Sequence, residues 1–179
     1  MTRPAVMVDL ETLGKLPTSA FTSIGACLFQ PHTDWIGETF HMHVSLENAD
    51  RHGLTKDAST QLWWMGQDDS ARNTLINGQH DAAPLITALE AFAAFVPHEA
   101  DIWCCGASFD FPILKYAYHV IGMKEPWEFS NEMCLRTLKK LNKGARIERA
   151  GTHHNALDDA VHQAKLVQHI FQLNPDMDS

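Results

Sequence analysis

The segment Val6-Met7-Val8-Asp9-Leu10-Glu11 places two carboxylates two positions apart in a run that reads as a β-strand. Side chains alternate on a strand, so Val6, Val8 and Leu10 share one face and Asp9 and Glu11 the other. Their backbone positions lie about 7 Å apart, close enough for their oxygens to converge on one cation. Two such acids repel unless a cation sits between them or one takes up a proton. Hard oxygen ligands suit magnesium or manganese better than zinc. Alone, the pair also fits a polar strand end facing solvent.

A second carboxylate, Asp110, stands in Cys104-Cys105-Gly106-Ala107-Ser108-Phe109-Asp110, after a short apolar run and where a helix begins. The ends of strands and the starts of helices are where α/β proteins place ligands, although a helix dipole alone also attracts an acid there. The third cluster is Thr152-His153-His154-Asn155-Ala156-Leu157-Asp158-Asp159. A histidine just before a long helix is suited to general-base work near neutral pH. With Asn155 as helix cap, Asp158 falls where acids favour exposed amides. Both acids lie off the apolar stripe of the helix, so the helical wheel does not choose between them.

The elements that must position these groups follow from periodicity. Residues 5–11, 21–29 and 38–46 read as three strands, with loop chemistry in Pro31-His32-Thr33-Asp34 between the last two, so the chain opens as an antiparallel meander. Helical patterns cover 60–65, 69–77 and 83–96, the last with Leu85, Leu89, Phe92 and Val96 at helical spacing. A short strand at 101–106 leads to a helix over 109–121 that tolerates Pro112 in its first turn. A final helix over 155–173 carries Leu157, Ala160, Val161, Ala164 and Phe171 on one stripe. Strands first, then strands mixed with helices, predict an α/β domain with a mixed central sheet flanked by helices. We expect a single domain over residues 1–173 and a frayed tail over 174–179.

The 179 residues, 45% hydrophobic, suffice for one buried core. No apolar run approaches the roughly 18 residues of a membrane span, and the start lacks the layout of a secretory signal. Cys27, Cys104, Cys105 and Cys134 form no CxxC pair and read as reduced, mostly buried thiols of a cytoplasmic protein. The net charge of −8 argues against a polyanionic partner until its distribution is considered. Residues 136–149 hold six of the fourteen basic side chains against one acid, Glu148, giving +5 locally and leaving −13 for the rest. Such a chain repels phosphate over most of its surface and attracts it at one place.

Taken in order, Asp9-Leu10-Glu11-Thr12, Ser108-Phe109-Asp110 and His154 with Asp159 five positions on resemble the motifs of the DEDDh 3′–5′ exonucleases, which have an RNase H-like fold. Ser23-Ile24-Gly25-Ala26 resembles that superfamily too. The resemblance covers nearly the whole chain. Leu62-Trp63-Trp64-Met65-Gly66-Gln67, Ala71-Arg72 and Leu135-Arg136-Thr137-Leu138 are similar to its compact phage- and prophage-type members, with Cys134 in place of their usual acid. Core packing is the plain alternative for at least one of Trp63 and Trp64. The resemblance selects His154 over His153 and Asp159 over Asp158. It implies two divalent cations, Mg2+ or Mn2+, on Asp9, Glu11, Asp110 and Asp159, with His154 as general base. It also implies contact of Thr12 and Leu13 with the terminal nucleotide, and release of nucleoside 5′-monophosphates from the 3′ end of single-stranded or overhanging DNA or RNA. A homodimer is in keeping with related compact enzymes. Charge placement adds Lys139, Lys140, Lys143 and Arg146 as phosphate contacts. Three other readings compete: a binding module that kept the fold and lost catalysis, an oligoribonuclease-like enzyme restricted to short substrates, and a zinc hydrolase using His153, His154 and Asp158.

Overall fold

A computed structural model describes residues 4–178; residues 1–3 and 179, included in the expected domain and tail, lie outside it. Five strands form one sheet in the order β3-β2-β1-β4-β5. β1 (Ala5–Thr12), β2 (Phe21–Phe29) and β3 (Ile36–His43) make the antiparallel meander. β4 (Asp101–Cys104) pairs parallel to β1, and β5 (Glu132–Cys134) parallel to β4. The predicted mixed sheet is therefore present, with β1 at its centre.

Seven helices accompany the sheet among the described residues: α1 (Leu46–Arg51), α2 (Ala58–Met65), α3 (Asp69–Gly78), α4 (Leu85–Phe95), α5 (Asp110–Val120), α6 (Leu135–Leu141) and α7 (Ala156–Leu173). The strand expected at 38–46 ends at His43, because Ser45 caps α1 by accepting from the Asn48 N–H. The predicted strand over 101–106 stops at Cys104. Gly106, at φ +140, then turns the chain toward α5, and a Cβ there would meet the Arg136 guanidinium at 2.7 Å. β5 was not anticipated: three residues, Glu132-Met133-Cys134, carry no readable alternation. At the other end, the Asn174 amide donates to Asn142 and to the Ile170 carbonyl, and Pro175–Asp178 forms a short 3-10 turn.

Alternation along β1 divides the core. Val6, Val8 and Leu10 pack with Leu89 and Phe92 of α4 and with Phe111 and Leu114 of α5. Ala5 and Met7 face the other way, onto Ala160, Ala164, Val167 and Ile170 of α7. Continuing that second register outward brings Asp9 and Glu11 to the α7 side, where the apolar layer gives way to acids. Gly25 on β2 lets α7 come close: a Cβ there would lie 2.0 Å from the Ala156 carbonyl carbon. No described helix is long and apolar enough to cross a membrane.

Candidate active site

Three elements bring four acids together at one end of the sheet. β1 supplies Asp9 and Glu11, the first turn of α5 supplies Asp110, and the first turn of α7 supplies Asp159. Asn155 caps α7 by accepting from the Leu157 and Asp158 N–H groups, which fixes where its first turn points. Ligand atoms of Glu11, His154 and Asp159 lie within 4.8 Å of one another.

Their electrostatics record the crowding. Burial, then Asp110, Glu11 and Asp159, pushes the Asp9 carboxyl well above its ordinary value. Burial, then Asp159 and Asp110, raises Glu11 to about 8, while Arg149 pulls it back in part. Asp110, only 4% exposed, is raised by burial to about 7 despite a hydrogen bond from the Cys104 thiol and the nearby Arg136 guanidinium. Carboxyls held this far up hold protons near neutral pH unless a cation replaces them. A cluster of four carboxyls whose nearby guanidiniums, Arg149 and Arg136, only partly offset the crowding is the kind of oxygen-rich donor set that hard divalent cations take.

The two adjacent acids of α7 do different work. Asp158 accepts the Thr152 N–H at 2.7 Å and so ties down the preceding loop. Asp159 accepts the His154 N–H at 3.1 Å and pairs with Arg149. His154 itself sits at φ +60. Its ring meets Trp63 edge-on at 4.9 Å and Trp64 at 5.8 Å. Among the described residues, His153, His154 and Asp158 form no ligand cluster of the kind that zinc would need.

A cleft of about 470 Å³ opens beside these groups, lined by Glu11, Thr12, Lys15, Trp63, Phe109 and Arg136, among others. Trp63 is 47% exposed, whereas Trp64 is 6% exposed and donates its indole N–H to the Thr12 carbonyl, so one tryptophan is structural and its neighbour faces the cleft. Of the two residues assigned to the terminal nucleotide, Thr12 lines the cleft and Leu13 does not. A register shift between Glu11 and Thr12 breaks the alternation, and Leu13 turns into a separate hollow with Trp64, Met65 and Leu75. Lys139 and Lys140 are exposed on α6, and Lys143 and Arg146 on the loop after it; none lines the cleft. The charges that do are Arg136, the first residue of the basic stretch, and Lys15, which sequence reasoning did not assign as a contact. Gln163, also missed, donates to Asp9 at 2.7 Å.

The thiols divide as well. Cys27 and Cys104 are buried, Cys105 and Cys134 half-buried. Desolvation pushes Cys134 up, but hydrogen bonds from Thr137 and from the backbone of Ala107, Thr137 and Arg136 outweigh it, and the thiol lies below its ordinary value. An acid at this position would accept the same donors.

Comparison with known proteins follows the same lines. The model of the family described as 3'-5' exoribonuclease Rv2179c-like domain matches residues 4–171. An exodeoxyribonuclease of Enterobacteria phage T4 is 31% identical over 123 residues, covering 60% of this chain and 52% of the phage protein. Escherichia coli exonuclease I in complex with a dT13 oligonucleotide superposes with a TM-score of 0.72 at 11% identity, over 97% of this chain and 42% of that one. The nuclease domain of 3'hExo, a DEDDh family member, bound to rAMP, gives 0.64 at 15% identity over 96% and 93%. The chain thus spans about half the phage relative and under half of exonuclease I. At these identities the solved structures establish the fold, which is the RNase H-like fold of DEDDh exonucleases.

Proposed function

Since the chain belongs to the Rv2179c-like 3′–5′ exoribonuclease domain family, we propose that it is a metal-dependent exonuclease that shortens DNA or RNA from the 3′ end and releases nucleoside 5′-monophosphates. The observation that carries this reading is the meeting of Asp9, Glu11, Asp110 and Asp159 beside the His154 imidazole, at the edge of a cleft wide enough for a nucleotide.

Asp9, Glu11, Asp110 and Asp159 would hold the cations, with the Asp9 carboxyl within electrostatic reach of the other three. Two divalent ions, when bound, stabilise charge on the phosphate and leaving oxygens and make water a better nucleophile. His154 takes the proton of the attacking water at a ring nitrogen. Its left-handed backbone and the Trp63 and Trp64 edges hold the imidazole toward Glu11 and Asp159. Thr12, Trp63 and Phe109 receive the terminal nucleotide, and Lys15 and Arg136 at the cleft meet its phosphates. Lys139, Lys140, Lys143 and Arg146 offer a weaker, longer-range attraction for the strand upstream.

The family description points to RNA and the phage relative's name to DNA, so the proposed substrate is a single-stranded or overhanging 3′ end of either. The test is to incubate the chain with Mg2+ or Mn2+ and 5′-labelled single-stranded and duplex DNA and RNA, beside Asp9→Asn. The expected result is a metal-dependent ladder shortening from the 3′ end, reduced at least about 100-fold in the variant. An Asp9→Asn protein that still makes the ladder, or cleavage from the 5′ end, removes the reading. Light scattering on the purified chain tests the homodimer.

A further inference from the structure

Asp159 and Gln163 lie one helical turn apart on α7, so both face β1. The Gln163 Nε2 group donates to Asp9 Oδ1 at 2.7 Å. Its Oε1 is buried and has no hydrogen-bond partner among the described residues. The terminal torsion of an aspartate is soft. Three other acids surround Asp9 and, when ionised, repel it without donating a hydrogen bond. Gln163 is the side-chain donor that does so.

We infer that Gln163 is a positioning residue that orients the Asp9 carboxylate for the cations; this deepens the reading above and rests on it. A neutral amide does what a lysine or arginine there would not: it fixes the carboxylate plane and leaves the negative charge for the ions. Arg149 shows the contrast, since its guanidinium pairs with Asp159 and lowers the charge of that corner. The amide's second end, an acceptor shut away from bulk solvent, suits an ordered water O–H. Gly25 sets the depth at which this works, by letting α7 reach the sheet closely enough for Gln163 to touch β1.

Outer partners that orient metal ligands are worth about 10–100-fold in metal affinity or activity. The experiment measures Mn2+ binding to the full chain by electron paramagnetic resonance, for wild type, Gln163→Met and Gln163→Asn. Melting in chelator and steady-state kinetics accompany it. Gln172→Met is the control, because Gln172 sits on the same helix but reaches the exposed Asp34. Both Gln163 variants should bind Mn2+ at least 10-fold more weakly and lose kcat to match. KM for the oligonucleotide should stay within threefold and melting in chelator close to wild type. Wild-type Mn2+ affinity in either folded variant overturns the inference. So does loss of folding in chelator in both variants, which would make Gln163 a structural residue. A wild-type chain that binds no Mn2+ overturns the metal reading itself, a result distinct from variants that merely match a metal-binding wild type.

Discussion

Replacing Glu11 by glutamine should make the metal-free protein more stable at alkaline pH, although it removes a proposed ligand. Glu11 is raised from 4.5 to about 8, chiefly by burial and then by Asp159 and Asp110. The folded chain therefore holds a proton that the unfolded chain releases. For a carboxyl raised on folding, the penalty is absent below pH 4.5, grows as pH rises, and is complete above about 8. At about 1.4 kcal/mol per pH unit, the gap corresponds to roughly 5 kcal/mol at pH 9. Rearrangement and water entry return part of it. We expect a net gain of about 2 kcal/mol for Glu11→Gln, or roughly 4–8 °C in melting temperature for a chain of this size. The assay is thermal melting of both proteins in chelator at pH 5 and pH 9, repeated with Mn2+. The variant should melt higher at pH 9, about equally at pH 5, and gain less from the metal. A variant that melts lower than wild type in chelator at pH 9 would refute the argument that these acids are held in mutual repulsion.

Two more outcomes follow from the same structure. Gly25→Ala places a Cβ 2.0 Å from the Ala156 carbonyl carbon; overpacking of this kind costs about 3 kcal/mol, so melting should fall by roughly 6–12 °C, and Mn2+ affinity should fall with it as Asp159 and Gln163 shift. Neutralising Lys139, Lys140, Lys143 and Arg146 together should weaken binding of a single-stranded oligonucleotide and reduce the slope of log K against log salt by up to about 3, read by fluorescence anisotropy. An unchanged slope would confine phosphate contact to Lys15 and Arg136.

The parts legible in the sequence were those governed by a strict period or an end signal. Period-two alternation assigned Asp9 and Glu11 to one face, and the structure has them continuing the Met7 side toward α7. Asn155 announced the start of α7 as a cap. Thr12 and Leu13 came from the resemblance rather than from any period; an irregularity after Glu11 leaves Leu13 in a hollow apart from the cleft, and no residue type there signals it. Asp158 and Asp159 could not be separated on a helical wheel. Their difference arises from the loop, where Gly151 at φ +88 brings the Thr152 N–H onto Asp158. Gln163 was invisible because a glutamine on a helix is ordinary until its partner, distant along the chain, is known. The basic stretch 136–149 gave a true charge pattern, but only part of it reaches the site: α6 turns Lys139 and Lys140 outward, while Arg136, at its first turn, lines the cleft and Arg149 pairs with Asp159.

The hydrogen bond from Gln163 to Asp9 joins positions 154 apart in the chain. The outermost acids, Asp9 and Asp159, thus come from the first strand and the long α7 helix, with the other four strands and α5, which carries Asp110, in between. During synthesis, every shorter nascent product carries Asp9 and Glu11 on a strand still waiting for its helix. Closure of so long a loop comes late in folding. On the function proposed above, hydrolytic capacity should switch on in one step, when α7 docks, and a ribosome-bound or proteolytically clipped fragment lacking that helix should leave nearby nucleic acid intact.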